Sequence, residues 1–227
     1  MNNIQLSPNS LNLFLECPHC FWLEKNAGIK RPPSYLYGLN LAFDGLLKEE
    51  FDDYRQKGIP HPLLEDNNIN AKLFSNQKML NRWRSNLAGI RYFDKDLRAT
   101  LLGAPDDVLE FSDGKIAPLD YKSTGSPAVD IYDRFQLQMD TYTFLMEKNG
   151  YKTQHKGYLV FYVIDKSRGF IDKLPFKKEI IEIETNPNDI YEIFRDAVMV
   201  LSQPTPPPHS QDCQFGIWQD KIKNLFN

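Results

Sequence analysis

Asp106, Asp120 and Lys122 are the residues whose types and spacing best fit a chemical task. Residues 101–111 and 115–123 read as two strands, and Ser112-Asp113-Gly114 between them is turn chemistry with glycine where a positive φ is needed. If those three residues form the loop, Phe111 faces Lys115, and counting back along both strands sets Asp106 opposite Asp120. Side chains alternate faces along a strand, so Lys122 shares the face of Asp120. Two carboxylates and an ammonium at one point can hold a divalent metal beside a water. Flanked by Leu101, Leu102, Val108, Leu109 and Ile116, the trio is costly to bury unless paired or bound to a metal. Asp107 is the rival of Asp106, but alternation turns it to the other face. A lone Asp-x-Lys is commonly just a solvated ion pair, so the elements around the hairpin decide what it means.

Ser7 can cap a helix with Pro8 in its first turn, Leu11, Phe14 and Leu15 as its buried stripe, and Cys17-Pro18 as its stop. A second helix is expected over 38–57, with Leu39, Phe43, Leu46, Leu47, Phe51 and Tyr54 at helical spacing and Gly58-Ile59-Pro60 ending it. Residues 61–75 read as an exposed connection and 77–87 as a shorter helix carrying Trp83. Then follow a strand-rich block over 90–123, a helix over about 131–149, an alternating strand over 157–164, a β-branched strand over 176–184 and a helix over 187–201. Pro204 to Pro208 forms a stiff segment after it. The order predicts an α/β fold, a mixed central β-sheet flanked by helices. With 227 residues, 41% hydrophobic and 25% charged, the chain can bury one sizeable core. It is expected to form a single domain over 1–227, with a core of about 38–203 and a small lobe built from both termini, about 1–37 and 204–227.

Gly103-x-x-Asp106, a hairpin turn and then Asp120-x-Lys122 resemble the core of the PD-(D/E)XK nuclease superfamily, in the branch that includes the RecB and AddB nuclease domains and the CRISPR-associated RecB-like exonucleases. Ser7-Pro8-Asn9-Ser10-Leu11 with Cys17-Pro18 is similar to that branch's opening helix and turn. Gln138-Met139-Asp140-Thr141-Tyr142 is similar to its Gln-x-x-x-Tyr helix, and Pro206-Pro207-Pro208-His209 with Cys213 to its cysteine-bearing tail. The resemblance implies a restriction-endonuclease-like core that hydrolyses DNA phosphodiester bonds with Mg²⁺ or Mn²⁺. It further implies an exonuclease of DNA repair, recombination or defence, acting on DNA that is single-stranded or has a free end. A catalytically degenerate nucleic-acid-binding or scaffold module is the alternative.

By the same resemblance, Asp106 and Asp120 bind the metal and the peptide carbonyl of Tyr121 completes its shell. Lys122 orients the attacking water or stabilises the pentacovalent phosphorus. Gln138 and Tyr142, one helical turn apart, support the lysine or a phosphate. Where the branch commonly carries a histidine near the start of its second helix, this sequence has Asp44. That carboxylate either joins the metal or is one more solvated residue of a helix already acidic at Glu49, Glu50, Asp52 and Asp53.

Cys17-Pro18-His19-Cys20 has metal-ligand spacing, and Cys213 returns on the proline-rich arm. His209 can complete a Cys₃His set suited to structural zinc. Relatives in the branch hold a four-cysteine [4Fe–4S] cluster, but Gly216 stands where the fourth cysteine belongs, so that cluster is not expected. The alternative is a metal-free lobe of small buried thiols held by Phe21, Trp22, Phe215 and Trp218. A net charge of −3 gives no global basic surface, so a polyanion must meet a local patch. Candidates are Lys25, Lys30 and Arg31; Arg82 and Arg84; and Lys166, Arg168, Lys173, Lys177 and Lys178. No stretch approaches bilayer length and the first residues lack a signal pattern, so no membrane partner and a cytoplasmic setting are expected.

Overall fold

The computed structural model describes residues 4–32, 38–125, 133–170, 173–223 and 225, the side chains of 38–41 excepted. In chain order the first elements are β1 (Ile4–Leu6), α1 (Pro8–Glu16), α2 (Pro18–Asn26), α3 (Gly38–Lys57), α4 (Pro62–Asp66), β2 (Ala71–Leu73) and α5 (Gln77–Trp83). There follow β3 (Ile90–Asp94), β4 (Ala99–Gly103), β5 (Asp107–Phe111), β6 (Ile116–Thr124), α6 (Asp133–Lys148), β7 (Lys156–Ile164), β8 (Phe176–Glu184), α7 (Ile190–Leu201) and α8 (Gln214–Lys223). The result is the expected α/β class, with two sheets among the described residues, ordered β2-β5-β6-β7-β8 and β1-β4-β3. Two compact units emerge: residues 37–92 with 102–188, and residues 1–36 with 93–101 and 189–227.

The larger unit is built on the five-stranded sheet. β5 and β6 form the expected hairpin: Phe111 N–H donates to the Lys115 carbonyl at 2.9 Å, and Gly114 takes φ 77°. The register follows, with Asp107 opposite Leu119. β6 then pairs in parallel with β7 through the α6 crossover, setting Asp120 beside Leu159 and Lys122 beside Phe161. β6 and β7 are central strands covered on both faces, which is why Tyr158 to Val163 is an unbroken buried run. Leu47 and Phe51 of α3 and Leu63 and Leu64 of α4 cluster with Tyr121 and Tyr158 on one face. Met139 and Tyr142 of α6 cluster with Leu159 and Phe161 on the other.

Several expectations change in this unit. The strand expected over 101–111 is broken into β4 and β5, which lie in different sheets. Pro105 lies between them and has no N–H for a ladder. Residues 61–75 are not an exposed connection. His61 Nδ1 accepts from Leu63 N–H at 3.2 Å and caps α4, while β2 pairs antiparallel with β5 and buries Ala71 and Leu73. The helix expected over 77–87 ends at Trp83. Leu46 is exposed although its spacing fits the apolar stripe, and Leu39 lies outside the described side chains, as do residues 131–132 at the expected start of α6.

In the smaller unit, Ser7 caps α1 by accepting from Ser10 N–H, and Leu11 is buried, whereas Leu15 is exposed. Cys17-Pro18 is less a terminus than a junction, because Pro18 occupies the first turn of α2, a position that tolerates its missing N–H. α1, α2 and α7 pack together, and β1 pairs in parallel with β4 from Ile4↔Ala99 to Leu6↔Leu101. α8 was not expected from the sequence. No described helix is long and apolar enough to cross a membrane.

Candidate active site

The hairpin register carries Asp106 to the mouth of the β5–β6 ladder, where its Oδ2 accepts from Tyr121 N–H at 3.1 Å. Asp120, one strand over, is 3% exposed. Lys122, on the same face, donates from Nζ to Asp120 Oδ2 and to Gln138 Oε1, the latter at 3.2 Å, and its ammonium lies 4.7 Å from the Phe135 ring centre. Gln138 returns a bond from Nε2 to Asp120 Oδ1 at 3.0 Å and another to Tyr142 Oη at 2.8 Å. Tyr142 Oη donates to the Ala104 carbonyl at 3.1 Å. The chain Lys122–Gln138–Tyr142–Ala104 thus ties the ammonium to both α6 and the hairpin mouth. Gly103 permits this approach: a Cβ there would lie 2.6 Å from Leu145 Cδ1 and 2.8 Å from Tyr142 Cδ1.

Asp44 reaches the same cleft through Lys48, one helical turn on along α3. Lys48 Nζ donates to Asp44 Oδ2 at 2.7 Å and pairs with Asp106 Oδ1 at 2.8 Å. Asp44 is thus joined to Asp106 of the hairpin through Lys48, while its own side chain stays 38% exposed. Burial and the like charge of Asp106 raise the Asp120 carboxyl to about 7, against the opposing pull of Lys122 and Lys48. The cleft is short of positive charge, and its donors are hard oxygens suited to Mg²⁺ or Mn²⁺. Of Tyr121, only the main chain is available to such an ion.

Tyr121's side chain belongs to the opposite face with Asp107. Asp107 is 0% exposed and accepts from Tyr121 Oη at 2.8 Å, from Arg84 at 3.1 Å and from Arg55. Arg55 and Arg84 also pair with Asp52, Arg84 at 2.8 Å. Asp107 is thus a structural counter-ion and Asp106 the group that faces the cleft, as strand alternation requires. This network also removes Arg84 from the basic patch expected with Arg82.

In the smaller unit, Cys17, Cys20, His209 and Cys213 bring their ligand atoms within 4.8 Å of one another, and the cysteines are unbridged. Cys17 Sγ lies 3.4 Å and Cys20 Sγ 3.8 Å from His209 Nδ1, and Cys20 Sγ lies 3.7 Å from Cys213 Sγ. Tetrahedral zinc, with bonds of about 2.3 Å to sulfur and about 2.0 Å to nitrogen, sets S–S near about 3.8 Å and S–N near about 3.5 Å, so the set fits. His209 Nε2 meets Gln219 Oε1 at 3.3 Å, the kind of outer contact that orients a ligating imidazole. Despite burial, bonds from the Cys20 and Ser210 backbones and from His209 bring the Cys17 thiol down to about 5. Burial, aided by Cys213 and Cys17 and opposed by Arg31, pushes Cys20 up to about 11. A Cβ at Gly216 would lie 2.7 Å from His209 Cγ, so His209 fills the space a fourth cysteine side chain would need. Phe21 is buried and Phe215 packs on the cysteines, and Trp22 joins α2 to the C-terminal segment by donating to the Gln203 carbonyl at 3.0 Å, whereas Trp218 is exposed.

Lys48 and the Arg55–Arg84–Asp52 network were not found from sequence. The signal for Lys48 was available, since it stands four residues after Asp44 on the same helix face. Arg55 likewise stands three residues after Asp52 on α3, but nothing local marked Asp107, in a distant strand, as the partner that Arg55 and Arg84 share.

No curated protein matches the sequence at a significant level. A solved structure, that of SSO0001, aligns over 97% of this chain and 86% of its own, at 16% identity and a TM-score of 0.44. The model of the PD-(D/E)XK nuclease superfamily matches residues 5–216, spanning the hairpin, the α6 motif and the cysteine group. The chain therefore belongs to the PD-(D/E)XK nuclease superfamily, a family of metal-dependent nucleases.

Proposed function

We propose that this protein is a Mg²⁺- or Mn²⁺-dependent deoxyribonuclease of the RecB/AddB-like branch, acting as an exonuclease on single-stranded DNA or DNA with a free end. The observation that carries the reading is the convergence of Asp106, Asp120 and Lys122 on one face, with Gln138 bonded to both Asp120 and Lys122. That intact set supports cleavage over a binding relic. Asp44, Asp106, Asp120 and the Tyr121 carbonyl are the groups that would hold the metal. Bound there, it supplies charge neutralisation at the phosphate and a more acidic water. Lys122 holds the attacking water and meets negative charge as the water oxygen bonds to phosphorus and the bond to the leaving oxygen breaks. Gln138, anchored by Tyr142, keeps the ammonium aimed at that point.

Zinc in the Cys₃His group is the reading favoured for the smaller unit, as a structural tether. Three unbridged thiols suit a reducing, cytoplasmic setting, and repair, recombination or defence is the matching role. The test is incubation of the purified protein with single- and double-stranded, linear and circular DNA, and with RNA, in Mg²⁺, in Mn²⁺ and in EDTA. Metal-dependent loss of linear DNA with circular DNA spared is expected. Undiminished cleavage in EDTA, or cleavage of RNA alone, defeats the proposal. Elemental analysis should find one zinc per chain and no iron.

A further inference from the structure

Lys48 occupies the position a cation is wanted in, although no motif of the chain calls for it. Its ammonium bonds Oδ2 of Asp44 at 2.7 Å and Oδ1 of Asp106 at 2.8 Å, bridging a helix to the hairpin. Asp106 Oδ2 already accepts from Tyr121 N–H, so Lys48 takes the remaining oxygen. Its side chain is 26% exposed, which is less than a freely solvated lysine on a helix surface.

One ammonium thus lies between Asp44 and Asp106 and a second, that of Lys122, lies on Asp120. A divalent ion that takes Oδ2 of Asp44 or Oδ1 of Asp106 as a ligand competes with Lys48 for that oxygen.

We propose that Lys48 is the resident counter-cation of this cleft: it bridges Asp44 and Asp106, competes with a divalent ion for their oxygens, and so sets how tightly that ion binds. The inference rests on the reading of the cleft as a divalent-metal site. Once displaced, the ammonium remains on α3 beside the cleft, where the phosphate of a nucleic acid offers it a new anionic partner. Metal and phosphodiester should then bind cooperatively.

The test is titration of the full chain with Mn²⁺ alone, without DNA, following free Mn²⁺ by electron paramagnetic resonance. Wild type is compared with Lys48→Met and Asp120→Asn. Removing a competing cation should tighten Mn²⁺ binding roughly tenfold or more in Lys48→Met, and Asp120→Asn should lose binding. A merely structural contact has the opposite sign, since its loss loosens the cleft and weakens the ion. Unchanged or weaker binding in Lys48→Met, with binding lost in Asp120→Asn, overturns the role of Lys48 and leaves the metal site standing. Binding that survives intact in Asp120→Asn puts the ion elsewhere and overturns both. Should Lys48→Met fail to fold, Lys48→Gln keeps a hydrogen bond without the charge and must shift in the same direction.

Discussion

Replacing Asp107 by alanine should unfold this protein far more readily than replacing Asp106, although the two are adjacent and chemically identical. Asp107 is fully enclosed and accepts bonds from Arg55, Arg84, Tyr121 Oη and the Val108 amide. Within the network, Asp52 and Asp107 balance Arg55 and Arg84, whose side chains are 3% and 10% exposed. Without Asp107 one buried guanidinium loses its counter-charge. Breaking such a pair by removing one partner costs about 3–5 kcal/mol. For a chain of this length each kcal/mol lowers the melting temperature by about 2–4 °C, so a fall of about 6–20 °C is expected. Asp106 contributes one pair with Lys48 and one bond to the Tyr121 amide at a partly exposed site and repels Asp120, so Asp106→Ala should cost no more than about 2 kcal/mol. Thermal melting by circular dichroism in EDTA measures both. Equal melting temperatures for the two variants would refute the assignment of Asp107 to the buried network and Asp106 to the cleft.

Lys122→Ala and Asp120→Ala should each lower cleavage by about 10³-fold or more, while Gln138→Ala, which removes a positioning contact, should cost about 10–100-fold; the ranking is read from single-turnover rates, and equal loss in all three counts against a supporting role for Gln138. His61 contributes to the pH dependence of stability: burial holds its imidazole below the ordinary value against the pull of Glu50, so the fold keeps it neutral where the unfolded chain takes up a proton. Stability from this residue is complete above the unfolded pKa of about 6.5 and is lost as pH falls below it, by at most about 1.4 kcal/mol per pH unit. The gap in melting temperature between about pH 7.5 and about pH 5.5 should narrow in His61→Asn, and an unchanged gap assigns the effect to another group. Gly216→Ala should drive a methyl into His209, costing about 1–3 kcal/mol and lowering the affinity of the Cys₃His group for added zinc; unchanged zinc affinity and stability in that variant contradict the packing described.

What could be read directly from the sequence was governed by neighbouring residues. The Ser112-Asp113-Gly114 turn sets a register, and strand alternation then places Asp106, Asp120 and Lys122 on one face and Asp107 on the other, because the period of a strand is a property of the backbone. Helical spacing likewise joined Gln138 to Tyr142 and delimited α3 at residues 38–57. Spacing could not say which element an apolar or charged face would meet. Residues 61–75 looked solvated because β2 is only three residues long, and its burial depends on pairing with β5. Leu46 and Leu15 fit apolar stripes but stay exposed, while Arg84, which looks like surface, is drawn inward by Asp107 from another element. The closure of Cys17 and Cys20 on His209 and Cys213 spans almost the whole chain, and Lys48 meets Asp106 only because α3 lies against the hairpin. The covalent chain carries the period within an element, but only packing brings together charges that the sequence holds far apart.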